Sequence, residues 1–209
     1  MLEAAITFAF ADDPLDRGEL TAGESAQLGV LGSEQRATEW LRGRAALRSV
    51  LVKRGAAGDT SALSFPNPCY SVSHSDELAV AAGADAAGTG VSGLGIDFER
   101  FKPIREDAAR FFLEGAELAW VGSLPRERRP TELLRLWTVK EALFKADLEN
   151  AGRTLRDYRT STPAALEGAA CTPTSLPQQY TTIITHGGYL TVAITRGRRT
   201  CWPRTTSGS

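Results

Sequence analysis

At 209 residues the chain is long enough to bury a sizeable core, as one large domain or as two small ones of about 100 residues each. A net charge of −1 and a pI near 6.2 leave no global positive field, so neither nucleic acid nor an anionic membrane is an expected partner and any anion site must be local. No apolar run approaches the ~20 residues of a membrane span, the N-terminus "MLEAAITFAFADDPLD" is acidic where a signal peptide would be basic, and Cys69, Cys171 and Cys201 form no C-x-x-C pair, so a soluble, cytoplasmic chain with reduced thiols is expected.

"AAITFAF" (Ala4 to Phe10) reads as a strand, followed by an acidic loop with Pro14. A long helix is predicted from Ser33, its N-cap, to about Lys53, with Gly55 past its end. "PCYSVSHSDELAVAAGA" reads as two short strands around a polar turn at His74 to Glu77. The Ala/Gly-rich stretch Asp85 to Gly95 is expected to be a flexible connection leading into "GIDFERF", where strand alternation puts Asp97 and Glu99 on one face and Ile96 and Phe98 on the other. Helical patterns follow at Arg105 to Val121 and Thr131 to Glu149, separated by "PRERRP". A late hairpin has strands near Tyr180 to Thr185 and Tyr189 to Thr195, and the tail 204–209 is expected to be disordered.

The two halves resemble each other. "WLRGRAALRSVL" (Trp40 to Leu51) lies on "WTVKEALFKADL" (Trp137 to Leu148), and "SHSDELAVAA" (Ser73 to Ala82) lies on "THGGYLTVAI" (Thr185 to Ile194), which matches the two histidines. The helix precedes the hairpin in both. The expected architecture is α+β, two similar halves over 1–95 and 96–203 forming an intramolecular pseudo-dimer, with Asp97 and Glu99 near the seam.

Four groups of residues carry candidate chemistry. Asp97 and Glu99 on one strand face suit a hard divalent cation or acid–base work, although a solvent-facing strand edge carries such pairs too. On the helix "LLRLWTVKEALFKA", Lys140 falls within the apolar stripe of Leu133, Leu136, Trp137, Leu143 and Phe144, so it must snorkel or meet a partner. Glu141 and Lys145 share the flank of that stripe at the spacing of a surface ion pair. On the first helix Arg44 and Arg48 fall inside the apolar arc and Arg36 at its edge, which calls for carboxylates or a phosphate, or for snorkelling over the core. Finally "SVSHS" (Ser71 to Ser75) offers several donors to an anion, or makes a plain hairpin turn.

In order and spacing, "RATEWLRGRAALRSVL", "YSVSHS", "GIDFERF", "FFLEGAELAWV" and "LWTVKEALFKA" resemble the 4′-phosphopantetheinyl transferases, in particular their larger Sfp-like group, over roughly Arg36 to Asp147. The resemblance implies a pseudo-dimeric α+β fold in a single monomeric chain. It implies Mg²⁺, with Mn²⁺ as a substitute, held by Asp97, Glu99 and Glu141 against the pyrophosphate of coenzyme A. It implies phosphate contacts from Lys140 and Lys145, and from Ser73, His74, Arg36 and Arg44 to the adenosine 3′-phosphate. Glu141 and Lys145 are the implied catalytic pair, and Glu117 matches an acidic position of supporting role. The implied partner is an apo acyl or peptidyl carrier protein of polyketide, nonribosomal peptide or fatty-acid synthesis.

Two departures from the family pattern stand out. A Lys-Pro pair upstream of the Ser-His motif is replaced by "SFPNP", and a Gly-x-Gly turn after the second lysine by "KADLENAG". A non-catalytic module binding coenzyme A or a carrier is the alternative function. A Mg²⁺-dependent phosphohydrolase is a third, less suited to the serine–histidine and arginine elements.

Overall fold

The computed structural model describes residues 5–85, 89–172 and 176–197; the predicted tail 204–209 and Cys201 lie outside them. The fold is α+β, built on two antiparallel sheets. The first contains β1 (Ile6–Ala11), β2 (Tyr70–Ser75) and β3 (Leu78–Ala84) in the order β1-β3-β2, with α1 (Ala22–Gly29) and α2 (Glu34–Lys53) between β1 and β2 in the chain. The second contains β4 (Val91–Arg100), β5 (Arg159–Thr160), β6 (Glu167–Cys171), β7 (Gln178–Thr185) and β8 (Gly188–Arg196) in the order β4-β8-β7-β6-β5. Between β4 and β5 run α3 (Ala109–Phe112), α4 (Ala116–Ser123) and α5 (Arg129–Lys145).

The arrangement β1-β3-β2 therefore recurs as β4-β8-β7, each with a long helix after its first strand, and this is compatible with a pseudo-dimer. The register of the repeat differs from the sequence expectation by two residues in the hairpins. His74 lies within β2, whereas His186 begins the β7–β8 turn, where its positive φ of 49° matches that of Asp76 (53°) in the β2–β3 turn. Turn geometry, not identity of the histidines, sets the correspondence.

α2 begins where predicted, with Ser33 Oγ accepting from the Arg36 amide at 3.3 Å, and Gly55 in the left-handed region (φ 74°) follows its last turn. The expected helix over Arg105 to Val121 is instead broken. A short 3₁₀ turn and α3 end at Phe112, and Gly115, at φ 50°, redirects the chain into α4. Of the stretch expected to be flexible, residues 86–88 lie outside the described residues, and Val91 to Gly95 are strand residues of β4; the expected division at 95/96 falls inside that strand. Their glycines serve close packing. A Cβ on Gly93 would stand 2.0 Å from the Ala146 carbonyl oxygen, and one on Gly95 would stand 1.9 Å from that of Ala142.

The main core joins the inner faces of both sheets: Val80 and Ala82 of β3 meet Leu94, Ile96 and Phe98 of β4 and Val192 of β8. β2 and β4, the facing edge strands, meet without a backbone ladder. Ser71, Ser73 and Ser75 instead accept from the amides of Ile96, Phe98 and Arg100 at 3.0, 3.2 and 3.1 Å, covering an edge that would otherwise be open. Among the described residues no helix is long and apolar enough to cross a membrane.

Candidate active site

The serine seam positions the carboxylates. Asp97, 5% exposed, projects from β4 with Oδ1 accepting from Lys145 Nζ at 2.7 Å and from Ser73 Oγ at 2.8 Å, while its buried Oδ2 has no hydrogen-bond partner among the described residues. Two residues on, Glu99 Oε2 accepts from Ser75 Oγ at 3.0 Å and pairs with Lys102 Nζ at 2.7 Å. Ser71, Ser73 and Ser75 share the period-2 spacing of Asp97 and Glu99, so each of the last two serines bonds one β4 amide and one β4 carboxylate.

α5 brings the third carboxylate. Glu141 lies half-buried one turn before Lys145, and burial pushes its carboxyl above the usual range; Lys145 opposes this, while Asp97 and Glu99 add to it. The close approach of α5 to Gly93 and Gly95 is what lets its last turn reach Asp97.

The sequence-predicted residues divide into two sets. Asp97, Glu99, Glu141 and Lys145 come together at the seam. His74 joins them from β2: its Nε2 packs against α2 so closely that a Cβ on Gly43 would come within 2.6 Å, and its ring is held below the usual histidine range by burial and then by Lys145. Arg36 stands two turns before Gly43 on the same face of α2, exposed and with no side-chain hydrogen bond or ion pair among the described residues. Beside Lys145 a cavity of about 370 Å³ opens, lined by Phe65, Pro66, Ser71, Val72, Phe144 and Asn150.

Three residues expected to contact phosphate are engaged by partners within the protein. Lys140 is wholly buried, with Nζ donating to Glu117 Oε2 at 2.7 Å and to the Tyr158 carbonyl, and burial draws its ammonium below the usual lysine range against the pull of Glu117. The charged group in the apolar stripe thus meets a partner, as its position in the stripe required. Arg44, 8% exposed, donates to the Thr60 carbonyl at 2.9 Å and to Gln27 at 3.2 Å, and its guanidinium lies 4.6 Å from the Trp40 ring centroid. The Ser73 hydroxyl is committed to Asp97 and the Phe98 amide.

Glu117 has a counterpart that the sequence reading passed over. Glu24 of α1 is buried and accepts from Thr60 N and Oγ1 at 3.0 and 2.6 Å, as Glu117 of α4 accepts from Thr160 N and Oγ1 at 2.8 and 2.8 Å. Arg48 plays for Glu24, at 2.9 Å, the part that Lys140 plays for Glu117. The signal was present as "ESAQLG" against "ELAWVG". Lys102 was also missed; its signal is a lysine three residues after Glu99, just past the end of β4.

A divalent metal fits this donor set. The carboxylates are hard oxygen ligands, Asp97 Oδ2 is buried without a donor, and burial, with Asp97 and Glu99 nearby, raises the proton affinity of Glu141. Among the described residues no three carboxylate, histidine or cysteine side chains are already gathered as a metal cluster, since Lys145 and Lys102 balance Asp97 and Glu99 here.

A search of curated proteins found no match. Among solved structures, holo-[acyl-carrier-protein] synthase (AcpS) of Thermotoga maritima is similar at 19% identity and a TM-score of 0.41, the alignment covering 52% of this chain and 65% of that one, just under two thirds. Residues 93–193, which run from β4 through α5 into β8, match the family model ACPS, the 4′-phosphopantetheinyl transferase superfamily. That segment, which supplies Asp97, Glu99, Glu141 and Lys145, is what makes the chain similar to the 4′-phosphopantetheinyl transferase superfamily.

Proposed function

We propose that the protein moves the 4′-phosphopantetheine group of coenzyme A to a serine of an apo acyl or peptidyl carrier protein, releasing adenosine 3′,5′-bisphosphate. The observation that carries this reading is Asp97: buried at the seam, held by Ser73, paired with Lys145, and with one oxygen still open. In this reading the half over 1–95 holds the nucleotide end of coenzyme A and the half over 96–203 holds the reacting end. A monomer suffices, because one chain supplies both sides of the seam.

Asp97, Glu99 and Glu141 would hold Mg²⁺ or Mn²⁺. When bound, the metal would neutralise pyrophosphate oxygens and the leaving group. Lys145 adds a second positive charge; its side chain is 30% exposed and can turn from Asp97 toward a phosphate oxygen. Arg36 and His74 would meet the 3′-phosphate, and the cavity walled by Phe65 and Phe144 would offer apolar surface to the rest of coenzyme A. The carrier serine oxygen bonds to the β-phosphorus as the bond to the bisphosphate oxygen breaks, and the serine proton passes to Glu141.

The test incubates the full chain with coenzyme A, Mg²⁺ and a panel of apo fatty-acid, polyketide and peptide carriers, and reads carrier mass. One phosphopantetheine should be added to at least one carrier, and Asp97→Ala and Glu141→Ala should abolish the addition while leaving the circular dichroism spectrum unchanged. No addition to any carrier, together with tight coenzyme A binding, would replace this reading with a binding module.

A further inference from the structure

Lys102 and Lys145 each balance one carboxylate of the seam, but they are built differently. Lys145 is anchored on α5, contacts Asp97 at 2.7 Å and Ser73 at 3.4 Å, and is 30% exposed. Lys102 follows the last residues of β4, is 51% exposed, and holds Glu99 through one contact of 2.7 Å. An ammonium so exposed regains water at little cost when its partner is taken away, whereas a carboxylate only 16% exposed does not.

Building on the metal reading above, we propose that Lys102 is a built-in competitor for the divalent cation: it holds Glu99 until the metal takes that carboxylate, and is then released. Both cations seek the same Glu99 oxygens, and Ser75 keeps the carboxylate in place for either. A cation faces Glu99 before and after the exchange, so the carboxylate face is never left uncompensated beside Asp97 and Glu141. Once released, Lys102 remains on the wall of a 580 Å³ cavity whose other lining includes Phe101, Pro103, Leu134 and Tyr189. Metal loading would thereby place a free cation at the edge of an apolar groove.

The experiment titrates the full chain with Mn²⁺ alone and follows free Mn²⁺ by electron paramagnetic resonance, in wild type, Lys102→Gln, Lys102→Arg and Asp97→Asn. Loss of a competing partly exposed ion pair should tighten Mn²⁺ binding in Lys102→Gln by about fivefold. Lys102→Arg keeps the competing charge and should stay within about twofold of wild type, and the gain of Lys102→Gln should shrink in high salt, which screens the competitor. Unchanged or weaker binding by Lys102→Gln, alongside clear weakening by Asp97→Asn, would overturn the competitor role and leave the metal reading standing. Equal, negligible binding by wild type and Asp97→Asn would remove both.

Discussion

Glu141 carries opposing demands. Burial raises its proton affinity and the neighbouring Asp97 and Glu99 raise it further, against the pull of Lys145, so the folded chain binds this proton more tightly than the unfolded chain does. The stabilising contribution is then fully present below the ordinary carboxylate range and is lost as pH rises through the folded value. Near pH 7.5 without metal, ionised Glu141 costs stability, and Glu141→Gln should raise Tm by a few degrees. The gain should disappear as pH falls into the ordinary carboxylate range, where Glu141 itself is protonated. Thermal melts of the two proteins from pH 4 to 8 check this, and a variant less stable than wild type at pH 7.5 would contradict it. At this scale the sequence was informative about Asp97 and Glu99, because period-2 alternation alone assigns their face. It was less so for Ser73, since nothing local distinguishes a hydroxyl that braces a carboxylate from one that greets a phosphate.

Lys140 shows how an element can claim a residue that a motif assigns elsewhere. It ties α5 to α4 through Glu117, and Glu117 ties both to β5 through Thr160. Removing one member strands the other's charge in the interior, so Lys140→Met should cost about 3–5 kcal/mol. Glu117→Gln in the same chain should restore most of that loss, because the amide oxygen still accepts from Thr160 and no ion is left alone. Urea unfolding measures the pair, and the Michaelis constant for coenzyme A should be that of wild type in the double variant; a raised constant at restored stability would return Lys140 to the phosphate. The elements themselves were partly legible. α2 was marked at both ends by Ser33 and Gly55, but glycines misled in two places for opposite reasons. Gly93 and Gly95 looked like a loop although they admit α5 against β4, and Gly115 broke a helix whose apolar spacing ran on unchanged. A glycine's local preference does not reveal whether it is there for its φ or for its missing Cβ.

The repeat leaves only one carboxylate site. In the shared topology Asp97 and Glu99 of β4 correspond to Ala9 and Ala11 of β1, since Asp97 pairs with Thr191 on β8 as Ala9 pairs with Ala81 on β3. The first half therefore lacks the charge and supplies the serines of β2 instead, so the site exists only while the two sheets are joined. Their common core makes that joining a folding event: Phe8 and Val80 from one sheet and Phe98 and Ile194 from the other belong to a single apolar cluster. The chain should unfold in one transition. Two variants that keep only Trp40 of α2 or only Trp137 of α5 report each half by fluorescence, and their urea midpoints should coincide. Val80→Ala, which empties a fully buried site of the first sheet, should cost about 2 kcal/mol and move both midpoints together. If Trp137 kept its midpoint while Trp40 lost stability, the halves would fold separately, and the seam would be a docking contact rather than a shared core.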